Sequence, residues 1–184
     1  MNHSRPLAGA ASDALAETCK PLDLDTLFRT YAPYVAAVAH KLLGRDDEVD
    51  DVIQEVFIAA LRGLHRVRDP GAIKGWLACV TVRTARRKLR MRRVRQFIST
   101  DPAPNYTAVA DASASPEQRA LMSRVYQLLD TLPVDQRVPW VLRHIEGEGL
   151  ERVAVLCGCS LATAKRRISR ASGALQDALT EGEA

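Results

Sequence analysis

The sequence predicts an all-α protein built from two small helical domains that a flexible linker joins. Apolar residues recur at steps of three and four along most of the 184 residues, which is the spacing of helices with one buried face. Aromatic residues make up 5% of the chain and hydrophobic residues 47%, which suits helices rich in Ala, Leu and Val rather than a large β-sandwich. Residues 98–114, "ISTDPAPNYTAVADASA", have no such period, and their Pro, Ala, Ser and Asp content predicts the linker.

The first domain is predicted over residues 22–97 as a three-to-four-helix bundle. Residues 1–21 are expected to be a disordered N-terminus, because they are small and polar and lack the apolar core of a signal peptide. The pattern predicts helices over residues 22–42, 46–64 and 73–94. Gly44 ends the first helix, and Pro33 is expected to bend or restart it. No apolar run approaches the roughly 20 residues of a membrane span, so we expect a cytoplasmic protein.

The second domain is predicted over residues 115–180 as four shorter helices. Ser115 and Pro116 are typical of a helix start, with a capping hydroxyl followed by proline at the first helical position. The helices are predicted over residues 116–131, 134–146, 149–157 and 160–179.

A helix-turn-helix is predicted in "LERVAVLCGCSLATAKRRISRAS", residues 150–172. Gly158 can adopt the left-handed conformation that ends the first of its helices, and Ser160 can cap the second. On that second helix the apolar residues fall on one side, and the other side carries Thr163, Arg166, Arg167 and Arg170. A basic outer face on the second helix of such a pair is the form that enters the major groove of DNA.

Cys157 and Cys159 lie at this turn, and they could be either metal ligands or structural thiols. A zinc site needs about four ligands, usually as two spaced pairs, but the sequence offers no second pair and His144 stands alone. We therefore interpret both as structural thiols and expect no metal and no cofactor, with metal binding or redox sensing as the alternatives.

The chain has a net charge of +4, and its acidic and basic residues are strongly segregated along the sequence. Residues 46–55, "DDEVDDVIQE", are acidic, and the face opposite the buried stripe carries Asp47, Asp51, Gln54, Glu55 and Ile58. An exposed apolar residue among acids suggests a protein partner with a basic surface. The alternatives are a face that only increases solubility and, less favoured because no His or phosphate loop accompanies the acids, a metal-dependent nuclease.

Residues 71–96 carry the opposite charge. They contain many Lys and Arg residues and no Asp or Glu, so the positive charges repel one another. An anionic ligand would offset this repulsion, and nucleic-acid phosphate is the favoured candidate. An exposed basic helix end or a weak membrane-surface patch is the alternative.

Together these parts resemble the extracytoplasmic-function group of the sigma-70 family, the promoter-reading subunits of bacterial RNA polymerase. "DDEVDDVIQEVFIAAL" (residues 46–61) resembles conserved region 2.2, and "GWLACVTVRTARRKLRMRR" (residues 75–93) resembles regions 2.3 and 2.4. Residues 115–175 resemble region 4. The order of these parts along the chain is more specific than any single motif.

The resemblance implies an alternative sigma factor without catalytic residues or a required cofactor. It implies core RNA polymerase and promoter DNA as partners, with an anti-sigma protein as a further expected partner and a monomer when free. The implied polymerase-binding residues are Asp47, Asp51, Gln54, Glu55 and Ile58. The implied −10 DNA-binding residues are Lys74, Arg83, Arg86, Arg87 and Arg90, and the −35 DNA-binding residues are Ser160, Thr163, Lys165, Arg166, Arg167 and Arg170.

Two positions depart from the family pattern. Arg83 and Arg87 stand where family members commonly have Asn and Asp, which adds positive charge to the helix expected to read the −10 element. A free-standing helix-turn-helix regulator is the alternative function, but it leaves the acidic and basic helices unexplained. It would also usually require a dimer, and no dimerisation stripe is evident.

Overall fold

The computed structural model describes residues 24–98, 106 and 114–181. The expected disordered N-terminus and most of the expected linker lie outside the described residues. The described helices are α1 Leu24–Leu43, α2 Val49–Gly63, α3 Ile73–Ile98, α4 Pro116–Thr131, α5 Val134–His144, α6 Leu150–Cys157 and α7 Leu161–Glu181. Two short 3₁₀ turns, Leu64–Arg66 and Pro70–Ala72, connect α2 to α3. The described part of the chain contains no strand, which confirms the all-α prediction.

Helices α1, α2 and α3 pack together as an N-terminal bundle. Val35, Val52, Val56 and Leu77 are fully buried between them, as the periodicity of each helix predicts. Pro33 lies inside α1 without ending it, so the predicted restart is wrong and α1 is one helix of 20 residues. No helix in the described ranges is long and apolar enough to cross a membrane.

The start of α2 also differs from its prediction. The helix begins at Val49 rather than Asp46, and the intervening acids form the turn before it. Each acid is held there by a base: His40 pairs with Asp46 at 2.7 Å, Arg45 with Asp47 at 2.5 Å, and Arg92 with Glu48 at 2.5 Å. These pairs satisfy the carboxylates outside the helix, so the helix starts at the first apolar residue.

Helices α4 to α7 form a C-terminal bundle. Ser115 makes the predicted cap of α4 as a reciprocal capping box with Gln118, and Pro116 occupies the first helical position. Helix α7 packs across α5 and α6, and the Trp140 indole Nε1 donates to the Ser172 hydroxyl at 3.1 Å. Buried apolar residues from both bundles form one continuous cluster.

The two bundles pack closely against each other, which the sequence did not predict. Helix α3 lies along α5 and α6, and α1 contacts α5. Arg137 of α5 is 2% exposed, and its guanidinium donates to the carbonyls of Leu42 and Leu43 at the C-terminus of α1. Tyr106, within the expected linker, is buried and stacks on Tyr126 of α4 with ring centroids 5.6 Å apart.

Candidate nucleic-acid interface

Helices α6 and α7 form the predicted helix-turn-helix. Gly158 has φ 61° and ψ 44°, the left-handed conformation expected of a glycine that ends a helix. The amide of Cys159 reaches back to the carbonyl of Ala154 at 3.0 Å, which closes the turn. The Ser160 hydroxyl accepts from the Thr163 amide at 3.2 Å and so caps α7 as predicted.

The outer face of α7 carries most of the residues assigned to −35 DNA. Ala164, Ile168, Ala171 and Leu175 are buried on the inner face. Ser160, Lys165, Arg166 and Arg170 are exposed, and Thr163 is half-buried. The buried inner face therefore anchors α7, and the outer face presents basic residues to solvent.

Arg167 does not share this outer face. Its side chain is 27% exposed, and its Nη2 lies 3.8 Å from Oδ2 of Asp135 on α5. The sequence grouped it with Arg166 and Arg170, but it lies on the flank of α7 that faces the rest of the protein.

The cysteines of the turn are set in different environments. Cys157 is buried at the end of α6, and burial raises the pKa of its thiol to about 11. A thiol with so high a pKa stays protonated at neutral pH and is a poor nucleophile and metal ligand. Cys159 is half-buried. This environment favours the structural interpretation of Cys157.

Apart from Lys74, the basic residues of α3 divide mainly between two directions. Arg86, Arg90 and Arg93 face the C-terminal bundle. Arg86 donates to the Asp135 carboxylate at 2.5 Å and to the carbonyl of Cys157 at 2.8 Å. Arg90 donates to the same carboxylate at 2.9 Å, and Arg93 donates to a carbonyl at the end of α4. Although burial raises the pKa of Asp135, the Arg86 and Arg90 hydrogen bonds bring it below its ordinary value.

The other direction faces α2, where the predicted polymerase-binding acids lie. Arg87 pairs with Glu55, and the Lys88 ammonium lies 2.7 Å from Asp51 and 3.6 Å from Glu55. The hydrogen bond and charge of Lys88 lower the pKa of Asp51. The structure therefore brings two predicted polymerase-binding residues into contact with the helix assigned to DNA.

Lys74 stands apart from the other residues assigned to −10 DNA. It lies in the first turn of α3, and its ammonium sits 4.6 Å from the centre of the Tyr34 ring. The five residues therefore form three groups, with Lys74 at the start of α3, Arg83 and Arg87 toward α2, and Arg86 and Arg90 toward the C-terminal bundle.

A groove of about 730 Å³ runs between α2 and α3. Ile58, Trp76 and Val80 line it with apolar surface, and Arg83 and Arg87 are among the charged residues that line it. A charged rim over an apolar floor suits a ligand that has both a flat apolar part and negative charge.

A second apolar surface lies on the far side of Ile58, and we call it the α1–α2 patch. Its exposed members are Leu24, Phe28, Ile58 and Leu61, and the Phe28 ring contacts Phe57 with centroids 4.7 Å apart. The exposure of Ile58 (48%) and Leu61 (59%) confirms the predicted phase of α2. The sequence did not predict the patch, because Phe28 follows the apolar period of α1 and only the packing shows that α2 leaves it partly exposed.

Family comparisons agree with this arrangement of parts. The model of sigma-70 region 2 matches residues 27–95, and the model of sigma-70 region 4 matches residues 122–175. The chain is 32% identical to the ECF RNA polymerase sigma factor SigE of Mycolicibacterium smegmatis, over 96% of this chain and 69% of that protein. It is 30% identical to the ECF RNA polymerase sigma-E factor of Escherichia coli K12, over 80% of this chain and 81% of that protein.

Solved structures give the same fold. The sigma factor RpoE in complex with the anti-sigma factor NepR from Bartonella quintana matches with a TM-score of 0.60 and 25% identity, covering 86% of this chain and 98% of that one. CnrH in complex with the cytosolic domain of CnrY matches in fold with a TM-score of 0.58 at 23% identity, covering 93% and 96%. With both domain models matched in order, the chain belongs to the extracytoplasmic-function RNA polymerase sigma factors of the sigma-70 family.

Proposed function

We propose that this chain directs core RNA polymerase to a set of promoters, with the N-terminal bundle holding the polymerase and reading the −10 element and α7 reading the −35 element. One observation carries the proposal most directly. Helix α7 buries Ala164 and Ile168 in a capped helix-turn-helix and presents Arg166 and Arg170 to solvent, as a major-groove reader does.

The polymerase contact is assigned to the outer face of α2. Asp51 and Gln54 are exposed there beside Ile58, and the α1–α2 patch extends the apolar surface toward α1. A buried apolar centre with a charged rim is the usual composition of a protein interface. Asp47 precedes α2, and both of its carboxylate oxygens accept hydrogen bonds from Arg45, so we assign it to the rim of this interface.

The −10 contact is assigned to α3. Arg83 and Arg87 line the α2–α3 groove with Trp76, and this combination of cations and an aromatic ring suits unpaired bases and their phosphates. Because these two arginines replace the residues common in the family, we expect this chain to hold −10 DNA more through charge than through base-specific hydrogen bonds.

The −35 contact divides among residues of α7. Thr163 and Arg166 lie nearer the N-terminus of the helix and are assigned to base edges, whereas Arg170 lies one turn later and is assigned to phosphate. Ser160 and Lys165 flank this face and are exposed. Arg167 lies 3.8 Å from Asp135 on the flank of α7 and is assigned to neither of these two roles.

The chain is proposed to act in the cytoplasm without chemistry of its own, since the polymerase makes the RNA. Asp51 and Glu55, the carboxylates that a nuclease would need, are paired with Lys88 and Arg87, which does not support a metal-binding role. Because one similar structure is a complex with an anti-sigma factor, we further propose that such a protein controls this chain.

Transcription in vitro tests the proposal. Purified chain and core polymerase are incubated with fragments of the source genome, and the 5′ ends of the transcripts are mapped. The expected result is a small set of start sites with shared −10 and −35 elements that require both components. If the chain instead bound specific duplex sites tightly without polymerase and gave no transcripts, a free-standing regulator would be the better description.

A further inference from the structure

We propose that Met91 and Val94 form an apolar contact for DNA, which covers the last base pair of the duplex where the paired strands meet the unpaired −10 bases. We call these two side chains the α3 ridge. The inference rests on the proposed function, because it names the feature of the DNA that the C-terminal half of α3 contacts.

Both side chains of the α3 ridge are exposed although they are apolar. Met91 is 54% exposed and Val94 is 61% exposed, and among the described residues neither packs against the apolar core. One exposed apolar side chain is common on protein surfaces, but two in successive turns of a helix form a continuous apolar surface. The branched Cβ of Val94 also makes it a weaker helix former than the Arg and Lys residues around it. Helix stability therefore does not explain why this surface is apolar.

The α3 ridge continues the face of α3 that lines the α2–α3 groove. Rotation by about 100° per residue places four residues within about 80° of one another around the helix axis: Arg83, Arg87, Met91 and Val94. The two arginines are exposed and line the groove. At a rise of about 1.5 Å per residue, Met91 lies about 6 Å and Val94 about 10 Å beyond Arg87 along the axis. Stacked bases are about 3.4 Å apart, so a strand held at Arg87 places a base about two to three steps away beside the ridge.

The charges around the α3 ridge favour a nucleic acid as its partner. Arg90 and Arg95 flank the ridge and are exposed, and residues 71–96 contain no Asp or Glu. Phosphates next to a base step can therefore meet cations while the ridge meets the base. Proteins that bend or open DNA press apolar side chains against bases in this way. A helix that lies on a membrane instead needs an apolar face along its whole length, which α3 lacks.

The apolar surface that DNA offers to the α3 ridge depends on whether the strands are paired. Base pairs inside an intact duplex are stacked on both faces, so their flat surfaces are hidden. Where the strands separate, the last base pair exposes one flat face, and covering that face removes apolar surface from water. The α2–α3 groove is the site proposed for the unpaired bases, so this boundary falls beside the groove, where the ridge lies. The ridge thus stabilises opened DNA and not the closed duplex.

Three fluorescent DNA probes test this contact with the full-length chain bound to core polymerase. They are a fork, which is a short duplex ending in an unpaired overhang of random sequence, the overhang strand alone, and a fully paired duplex. Met91→Ala combined with Val94→Ala removes apolar surface without any change of charge. This double variant is expected to bind the fork about tenfold more weakly than wild type does, and to bind the other two probes within about twofold of wild type. Leu121→Ala, at a position on α4 that is 59% exposed, is the matched control and should bind all three probes as wild type does.

The salt dependence of fork binding distinguishes an apolar contact from a loss of cations. Because neither residue of the α3 ridge is charged, the slope of log affinity against log salt concentration should be the same for the double variant and for wild type. Arg95→Gln should instead lower this slope by about one. Circular dichroism of the double variant should show unchanged helix content, since both side chains are exposed.

Two results would overturn the proposal. Equal weakening on the fork and on the fully paired duplex would place the α3 ridge in a groove of the duplex, away from the boundary. Unchanged fork binding combined with weaker binding of core polymerase would make the ridge a protein contact. Failure of the wild-type chain to bind core polymerase would contradict the proposed function, and the same titrations with the free chain would still decide the role of the ridge.

Discussion

Gly44 is the position where a single methyl group should most directly disturb the contact between the bundles. It follows α1 with φ 72°, and an added Cβ would overlap the Tyr126 ring, with Cε1 at 2.7 Å, and would lie 3.1 Å from the Tyr106 ring. Both rings are buried, so neither can move aside without disturbing its neighbours. Gly44→Ala is therefore expected to be destabilised both by backbone strain and by overpacking.

The size of the effect follows from a comparison with Gly158→Ala. Gly158 has a similar φ of 61°, but an added Cβ there has nothing within 4 Å. Gly158→Ala should thus cost about 1–2 kcal/mol of unfolding free energy for the left-handed backbone alone. Gly44→Ala should add about 1–3 kcal/mol for overpacking, for a total of about 2–5 kcal/mol.

Urea denaturation followed by circular dichroism measures both variants under the same conditions. The reasoning fails if Gly44→Ala costs no more than Gly158→Ala.

Three further predictions concern the proposed surfaces. Ile58→Ala should weaken binding to core polymerase in a pull-down titration by about 5- to 30-fold, equivalent to about 1–2 kcal/mol for one aliphatic contact, while helix content stays unchanged. Leu121→Ala, an exposed aliphatic change on α4, is the control, and equal losses would refute the assignment. Arg166→Ala should reduce the discrimination between bases at one or two −35 positions of a randomised promoter library by about 1–3 kcal/mol. Arg170→Ala should instead lower activity on all promoters alike. An unchanged −35 preference for Arg166→Ala would show that Arg166 does not contact bases. Because the folded pKa of Asp135 lies below its ordinary value of 3.8, its carboxylate stabilises the fold above that pH and loses this effect as the pH falls through the folded pKa. The difference in Tm between wild type and Asp135→Asn should therefore be constant above about pH 5 and shrink below 3.8, and a difference that grew on acidification would contradict the ion-pair explanation.

The sequence by itself determined the elements and their faces. Helical periodicity gave the seven helices of the described residues to within a few positions, because one buried stripe per helix is a local property of the chain. Turn chemistry gave the conformation of Gly158 and the caps at Ser115 and Ser160, since these depend on groups three residues apart. The exposure of Ile58 followed from the phase of α2 alone.

Local patterns also set the limit of what could be predicted. The sequence placed the start of α2 three residues early, because the ion pairs that hold Asp46 and Glu48 outside the helix come from other elements. It treated the arginines of α3 as one basic surface, but their partners on α2 and α5 are 32 to 49 residues away in sequence. Periodicity predicts which side of a helix faces inward. It carries no information about which distant acid pairs with an arginine on the other sides.

The tertiary structure alone decided how the two bundles meet. Arg137 reads as a charged surface residue in sequence, yet it is buried because the carbonyls at the end of α1 and the Asp130 carboxylate satisfy its guanidinium together. Tyr106 lies in a segment with no period at all and is nevertheless buried on Tyr126. Burial of a polar or isolated side chain requires partners from several distant segments at once, and only the folded chain brings those partners together.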